Sequence, residues 1–236
     1  MIRCRQAVSA WCRPRVLWLA FLGGLLAACG TVALVVPPAD EAQRLALFRQ
    51  MSSAPPCCKH VRELTFHPLT RGRPRDYGHD SRLPAFDLPG GRSYVAGFTL
   101  PPLAPGESLK VASVLRLGSP GLDGRSIFCP SLLLLDRDLR ERGRHSCRAF
   151  SQDEGIGSRD TIALSLPAEA LRHVRYLLIY FDPDDLRFGT ELCGQAGMVL
   201  SEGPPRIELG APTCIGVPFT VTGAVRLAIE PAAAPS

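Results

Sequence analysis

The chain has 236 residues, 46% of them hydrophobic, with 27 lysines and arginines against 22 acidic side chains. The first 28 residues carry four of the arginines and no acid, so the other 208 hold 23 basic and 22 acidic side chains. That near-neutral balance excludes the basic footprint of a nucleic-acid-binding protein, and the length allows one substantial domain or two small ones with a real core.

Residues 1–28 read as a secretory leader. Arg3, Arg5, Arg13 and Arg15 precede an uncharged run from Val16 to Ala28, the n-region and h-region of an exported chain. The run closes on Leu26-Ala27-Ala28-Cys29, the pattern of a lipobox, which makes Cys29 the acylated first residue of the mature protein and ties it to a membrane by lipid. The alternative is a signal anchor, because the 21 residues from Val16 to Val36 carry no charge and are long enough to span a bilayer. Gly23, Gly24 and Gly30 weaken that helix. Both readings send the rest of the chain across the membrane, since the arginines hold the N-terminus inside. Gly30, where an aspartate would mark retention at the inner membrane, favours the periplasmic face of the outer membrane.

Residues 29–56 are expected to be the lipidated cysteine, a linker and a short helix. Pro37-Pro38 ends the apolar run, and Asp40 caps a helix over 40–51 with Ala42, Leu45 and Phe48 on one face. From 57 to 230 the pattern changes to short apolar or alternating runs separated by proline and glycine, which predicts an all-β, sandwich-like domain. The expected strands are 61–69, 85–88, 92–100, 108–117, 127–136, 161–166, 175–182 and 219–229, with a short helix over 167–174 and a disordered tail over 231–236. Tyr94, Ala96 and Phe98 share one strand face, as do Leu109, Val111, Ser113 and Leu115. Leu132 to Leu135 and Tyr176 to Phe181 read as buried on both faces.

Cys4 and Cys12 leave with the leader and Cys29 is lipidated. Six cysteines remain, Cys57, Cys58, Cys129, Cys147, Cys193 and Cys214, an even number that suggests disulfides in an oxidising compartment. Cys129 and Cys147 flank one expected hairpin and are the favoured pair; free buried thiols are the alternative. The neighbours Cys57-Cys58 either bond to each other, as a redox or stiff-turn element, or each bond elsewhere.

Signatures of catalysis are missing. The sequence has no nucleophile elbow, no H-E-x-x-H, no phosphate loop and no paired C-x-x-C, and Gly155-Ile156-Gly157 reads as a loop, so neither an enzyme nor a cofactor is expected. His67, His79 and Asp80 would be the ligands of a metal-dependent hydrolase, but their spacing fits no ligand pattern, and no metal is assigned. Asp182-Pro183-Asp184-Asp185 offers hard oxygens suited to calcium without the spacing of an EF-hand, and an Asp-Pro turn explains it as well. The alternating charges from Asp136 to Arg148 are either an anion-binding hairpin tip, turning at Gly143, or a solvated loop. Both tryptophans, Trp11 and Trp18, lie in the leader, which leaves Tyr77, Tyr94, Tyr176 and Tyr180 as stacking platforms for a sugar. Tyr77 and Tyr94, with Asp182, Asp184 and Asp185, are the candidate ligand-binding residues.

Cys57-Cys58, then Leu64-Thr65-Phe66-His67-Pro68-Leu69, Pro84-Ala85-Phe86-Asp87-Leu88, Gly91-Arg92-Ser93-Tyr94-Val95-Ala96-Gly97-Phe98 with Leu100-Pro101, and Arg175-Tyr176-Leu177-Leu178-Ile179-Tyr180-Phe181-Asp182 together resemble the maltose-operon periplasmic protein (MalM) family. The resemblance covers roughly residues 55–230 and is densest over 57–101. It implies an envelope location and a link to carbohydrate uptake, and supplies no catalytic residue; Cys129, Cys147, Cys193, Cys214 and the lipobox depart from it. The resulting expectation is a non-enzymatic, periplasm-facing lipoprotein that binds carbohydrate or assists its transport. The competing expectation is a structural adaptor that meets other envelope proteins through a sheet edge or the charged hairpin.

Overall fold

Apolar residues at every second position fold into strands that can bury one face. The computed structural model describes residues 38–114, 126–152, 161–194 and 213–231, and these are mostly β, as the sequence predicts. In chain order they form a helix α1 (Pro38–Ser53), then β1 (Phe66–Pro68), β2 (Arg75–His79), β3 (Ala85–Leu88), β4 (Gly91–Thr99) and β5 (Glu107–Val114). They continue as β6 (Ile127–Phe128), β7 (Ser131–Leu135), β8 (Glu141–His145), β9 (Ser151–Gln152), β10 (Thr161–Pro167), β11 (Tyr176–Tyr180), β12 (Gly189–Gly194), β13 (Thr213–Thr220) and β14 (Gly223–Pro231). One sheet has the order β1-β4-β11-β7-β8, with β3 also on β4; a second runs β2-β14-β5-β10-β9; a small third joins β12, β13 and β6.

The register shows why the first two sheets make a sandwich. Leu177 lies between Phe98 and Leu134, and Ile179 between Ala96 and Leu132. All six belong to one buried cluster with Leu109 and Val111 of β5, Ile162 of β10, and Val225 and Leu227 of β14. The alternate residues Leu178, Leu133 and Val95 face the other way, into a second cluster covered by Cys58, Val61, Leu64 and Phe66. The covering chain lies so close that a Cβ at Gly97 would stand 2.8 Å from the Thr65 carbonyl oxygen.

Several expectations need correction. The helix begins at Pro38, whose fixed φ and missing N–H suit a first turn, so Asp40 lies inside it and does not cap it. Its packed face is Arg44, Leu47, Phe48 and Met51, while Ala42 is exposed. Arg44 is only 4% exposed and docks the helix by donating from Nε to the Phe219 carbonyl at 2.8 Å and from Nη2 to that of Leu186. The helix expected over 167–174 is a series of turns closed by Ala170 N–H to Pro167 O, Leu171 N–H to Ala168 O and Val174 N–H to Leu171 O. The run 127–136 breaks at Cys129-Pro130, because proline has no N–H for a ladder; β6 goes to the third sheet and β7 to the first. The run 219–229 breaks at 221–222 between β13 and β14. Only Phe66–Pro68 of 61–69 is strand, after a short 3-10 helix at Val61–Glu63. Gly143 sits within β8 opposite Leu134, and the hairpin turns earlier, over 136–140.

Pro231 ends β14; residues 232–236, Leu115, Gly155-Ile156-Gly157 and the leader with Cys29 lie outside the described residues. Among the described residues no helix is long and apolar enough to cross a membrane.

Candidate functional site

Thr99, Tyr176 and Leu135 pair across β4, β11 and β7. The segments that leave β4, enter β11 and leave β7 therefore emerge at the same end of the sandwich. They are tied together: Leu100 N–H donates to Arg175 O at 2.9 Å, Arg175 N–H to Leu135 O at 2.7 Å, and Arg175 Nη1 to Leu100 O at 2.8 Å. Between them lies a cleft of about 590 Å³ with an apolar floor that includes Leu100, Leu103, Leu171 and Val174.

Its rim is charged. Arg137, Arg142, Arg172 and Arg175 stand against Asp136, Asp138 and Glu169, with His173 between. Asp136, 6% exposed, organises the hairpin tip. One of its oxygens accepts from the N–H groups of Asp138 and Arg140, both at 2.9 Å, and the other from Arg142 at 2.9 Å. Those N–H groups, Arg140 first, and Arg142 hold its carboxyl below the usual carboxylate range. Leu139 takes the left-handed φ of 61° at this tip and packs on the outer cluster.

Asp136 thus has its charge spent on Arg142. Arg137 and Arg172 are exposed and make no ion pair among the described residues, and the same holds for Asp138 and Glu169, so four arginines against three acids leave the lining with one cation in excess. The planar forks of arginine match carboxylate, sulfate and vicinal oxygens, and among the described residues no Phe, Tyr or Trp lines the cleft.

None of the five residues singled out for ligand binding lines this cleft. Tyr94 is 4% exposed inside the main core, and Tyr77 is half-buried with its ring edge-on to Phe98 at 5.2 Å. Tyr180 is 2% exposed, and Tyr176 packs on Phe66 at 4.7 Å. Asp182 caps the short 3-10 helix Pro183–Arg187 by accepting from Asp184 N–H at 3.1 Å, and Asp184 is exposed. Asp185 is 3% exposed; burial raises its pKa, against the pull of Arg148, whose Nε stands at 3.6 Å.

The histidine constellation is also dispersed. His79, 1% exposed, lies with Nδ1 3.2 Å from Val221 O and Nε2 3.0 Å from Tyr94 O, stacked on Phe128 at 4.2 Å. Burial lowers its pKa to about 4. A neutral ring donates to only one of those carbonyls, and the hydrogen bonds oppose the shift; full enclosure is the larger effect. Asp80 is held by Arg82 at 2.6 Å, and His67 is half-buried 6.1 Å from the Tyr77 ring. No group of three or more His, Cys, Asp or Glu side chains among the described residues is placed to hold a metal ion.

The structure joins Cys57 to Cys58 and Cys129 to Cys147, the second pair with Cα atoms 5.2 Å apart, inside the bridging range. In the β12–β13 ladder Cys193 stands directly opposite Cys214. The sequence pattern left Arg172 and Arg175 unmarked, because they lie in an expected helix and strand; only the charged run 136–148 pointed toward this end.

No family model matches the sequence, and no curated protein does. Among solved structures the chain is similar to the pre-peptidase C-terminal domain of a collagenase from Bacillus anthracis, at 9% identity over 70% of this chain and 95% of that one. The TM-score is 0.25, a likeness too slight to carry a functional argument.

Proposed function

We propose that this chain is a non-enzymatic lipoprotein, anchored through Cys29 to the periplasmic face of the outer membrane, that binds an oxygen-rich anionic ligand of the acidic-glycan class in the cleft between 100–105, 136–142 and 168–175. The observation that carries this reading is a cleft whose four arginines outnumber its three acids, two of those arginines exposed and without an ion pair among the described residues, above an apolar floor. Guanidinium groups recognise carboxylates and ring hydroxyls together, while Leu103 and Val174 take the apolar faces of sugar rings. The leader, the even cysteine count and the resemblance of residues 57–101 to a periplasmic family linked with carbohydrate uptake support the setting.

Calorimetric titration of the mature protein with uronate oligosaccharides tests the reading. Saturable heat that weakens as salt rises is expected, because exposed charge pairs are screened, and neutral maltodextrins should bind more weakly. Saturable binding of maltodextrins alone would overturn the anionic preference. A second reading, an adaptor for another envelope protein, is favoured by β8, which among the described residues is the edge of its sheet beside the cleft. Protein crosslinks concentrated on residues 141–145, with no heat from any glycan, would put it first. Mass spectrometry of the mature N-terminal peptide tests the anchor; an intact segment 1–15 would contradict it.

A further inference from the structure

We propose that the Cys57–Cys58 bridge is a thiol–disulfide exchange site, opened by an external dithiol under conditions that leave Cys129–Cys147 closed. The two bridges differ in access. Cys57 is exposed and Cys58 half-buried on the outer cluster, whereas Cys129 is 0% and Cys147 1% exposed. They also differ in what holds them shut. A bridge between neighbours closes no loop and restricts the unfolded chain hardly at all, while the other spans a sequence separation of 18.

Exposed Lys59, His60 and Arg62 follow the bridge, with Glu63 accepting from Lys59 N–H at 3.1 Å. The charges of Lys59 and Arg62, set against Glu63 alone, draw in an attacking thiolate and stabilise a departing one. Access selects the sulfur: the thiolate attacks Cys57 Sγ, the Cys57–Cys58 bond breaks, and Cys58 leaves as a thiolate. The second thiolate of the dithiol then attacks its own sulfur in the mixed disulfide, releasing Cys57. Two electrons pass to the protein, the two cysteines take up two protons, and the dithiol departs as a disulfide. The fold survives because the backbone is fixed independently, through Cys57 N–H to Ala85 O at 2.8 Å and the bridge of Pro56 to Ala85.

The test exposes the oxidised mature protein at pH 7 to dithiothreitol, quenches samples in acid, labels free thiols with N-ethylmaleimide and weighs the peptides. Cys57 and Cys58 should gain label at least tenfold faster than Cys129 and Cys147. Equal rates, or earlier opening of Cys129–Cys147, would overturn the proposal. Glutathione, which carries a single thiol, should give a mixed disulfide on Cys57; an adduct on Cys58 alone would refute the order of attack. Cys58→Ser leaves Cys57 as a lone thiol and should capture glutathione disulfide readily, and a Cys57 inert to it would also count against the site.

Discussion

The two faces of the first sheet are built from the same three strands, yet they are covered differently. Leu177 and Ile179 look inward onto a whole second sheet, and Leu178 looks outward onto a single thin segment around Val61 and Leu64. Both faces exclude water, since Leu177 and Leu178 are each 0% exposed. What differs is the layer above: five hydrogen-bonded strands on one side, and on the other a short 3-10 helix and the chain through Leu64 and Thr65 that leads into β1 of the same sheet. A core is as firm as its cover, so the inner face should carry global stability and the outer face local opening.

That contrast can be broken by mutation. Leu177→Ala leaves a cavity between two sheets that cannot collapse onto it and should cost about 3–5 kcal/mol in chemical denaturation. A loss below about 1 kcal/mol would mean that the inner layer is loosely packed. Acid should act on the same interior through His79. Its folded pKa of about 4 lies below the ordinary 6.5, so the unfolded chain binds the extra proton. The stability is whole above pH 6.5 and is lost as pH falls toward 4, by about 2 kcal/mol between pH 7.5 and 5. His79→Gln should flatten that slope, and an NMR titration placing the His79 pKa above 6.5 would refute the sign.

The outer cover should yield less. Val61→Ala trims a half-buried contact and should cost about 1 kcal/mol, while raising proteolysis after Lys59 and Arg62 more than global unfolding explains. Smallest of all, Arg226→Ala removes an exposed pair with Asp76 at 2.6 Å and should change stability by less than about 1 kcal/mol.

The same contrast explains what was legible in the sequence. The inner face shows as alternation in β4 and as the unbroken apolar runs of β7 and β11, and the strand expected over 85–88 coincides with β3. The strands that escaped, β2, β8, β9 and β12, include Arg-Asp-Tyr-Gly-His and Glu-Arg-Gly-Arg-His, whose charges suit sheet edges and hide the period. The helix face 44-47-48-51 escaped because a buried arginine sits in it, satisfied by two carbonyls that only the fold brings near. The cleft was half legible: the charged run marked the hairpin tip, but Arg172 and Arg175 come from other segments, joined to it only by the pairing of β11 with β4 and β7.

The most direct test of the cleft is titration of uronate oligosaccharides into the wild-type protein and into Arg137→Ala/Arg172→Ala, two exposed side chains whose loss should leave the fold intact. The account predicts saturable binding by the wild type and at least a tenfold weaker affinity in the variant, with an unchanged unfolding midpoint. Equal affinity in the two proteins would contradict it and move the ligand away from this end of the sandwich.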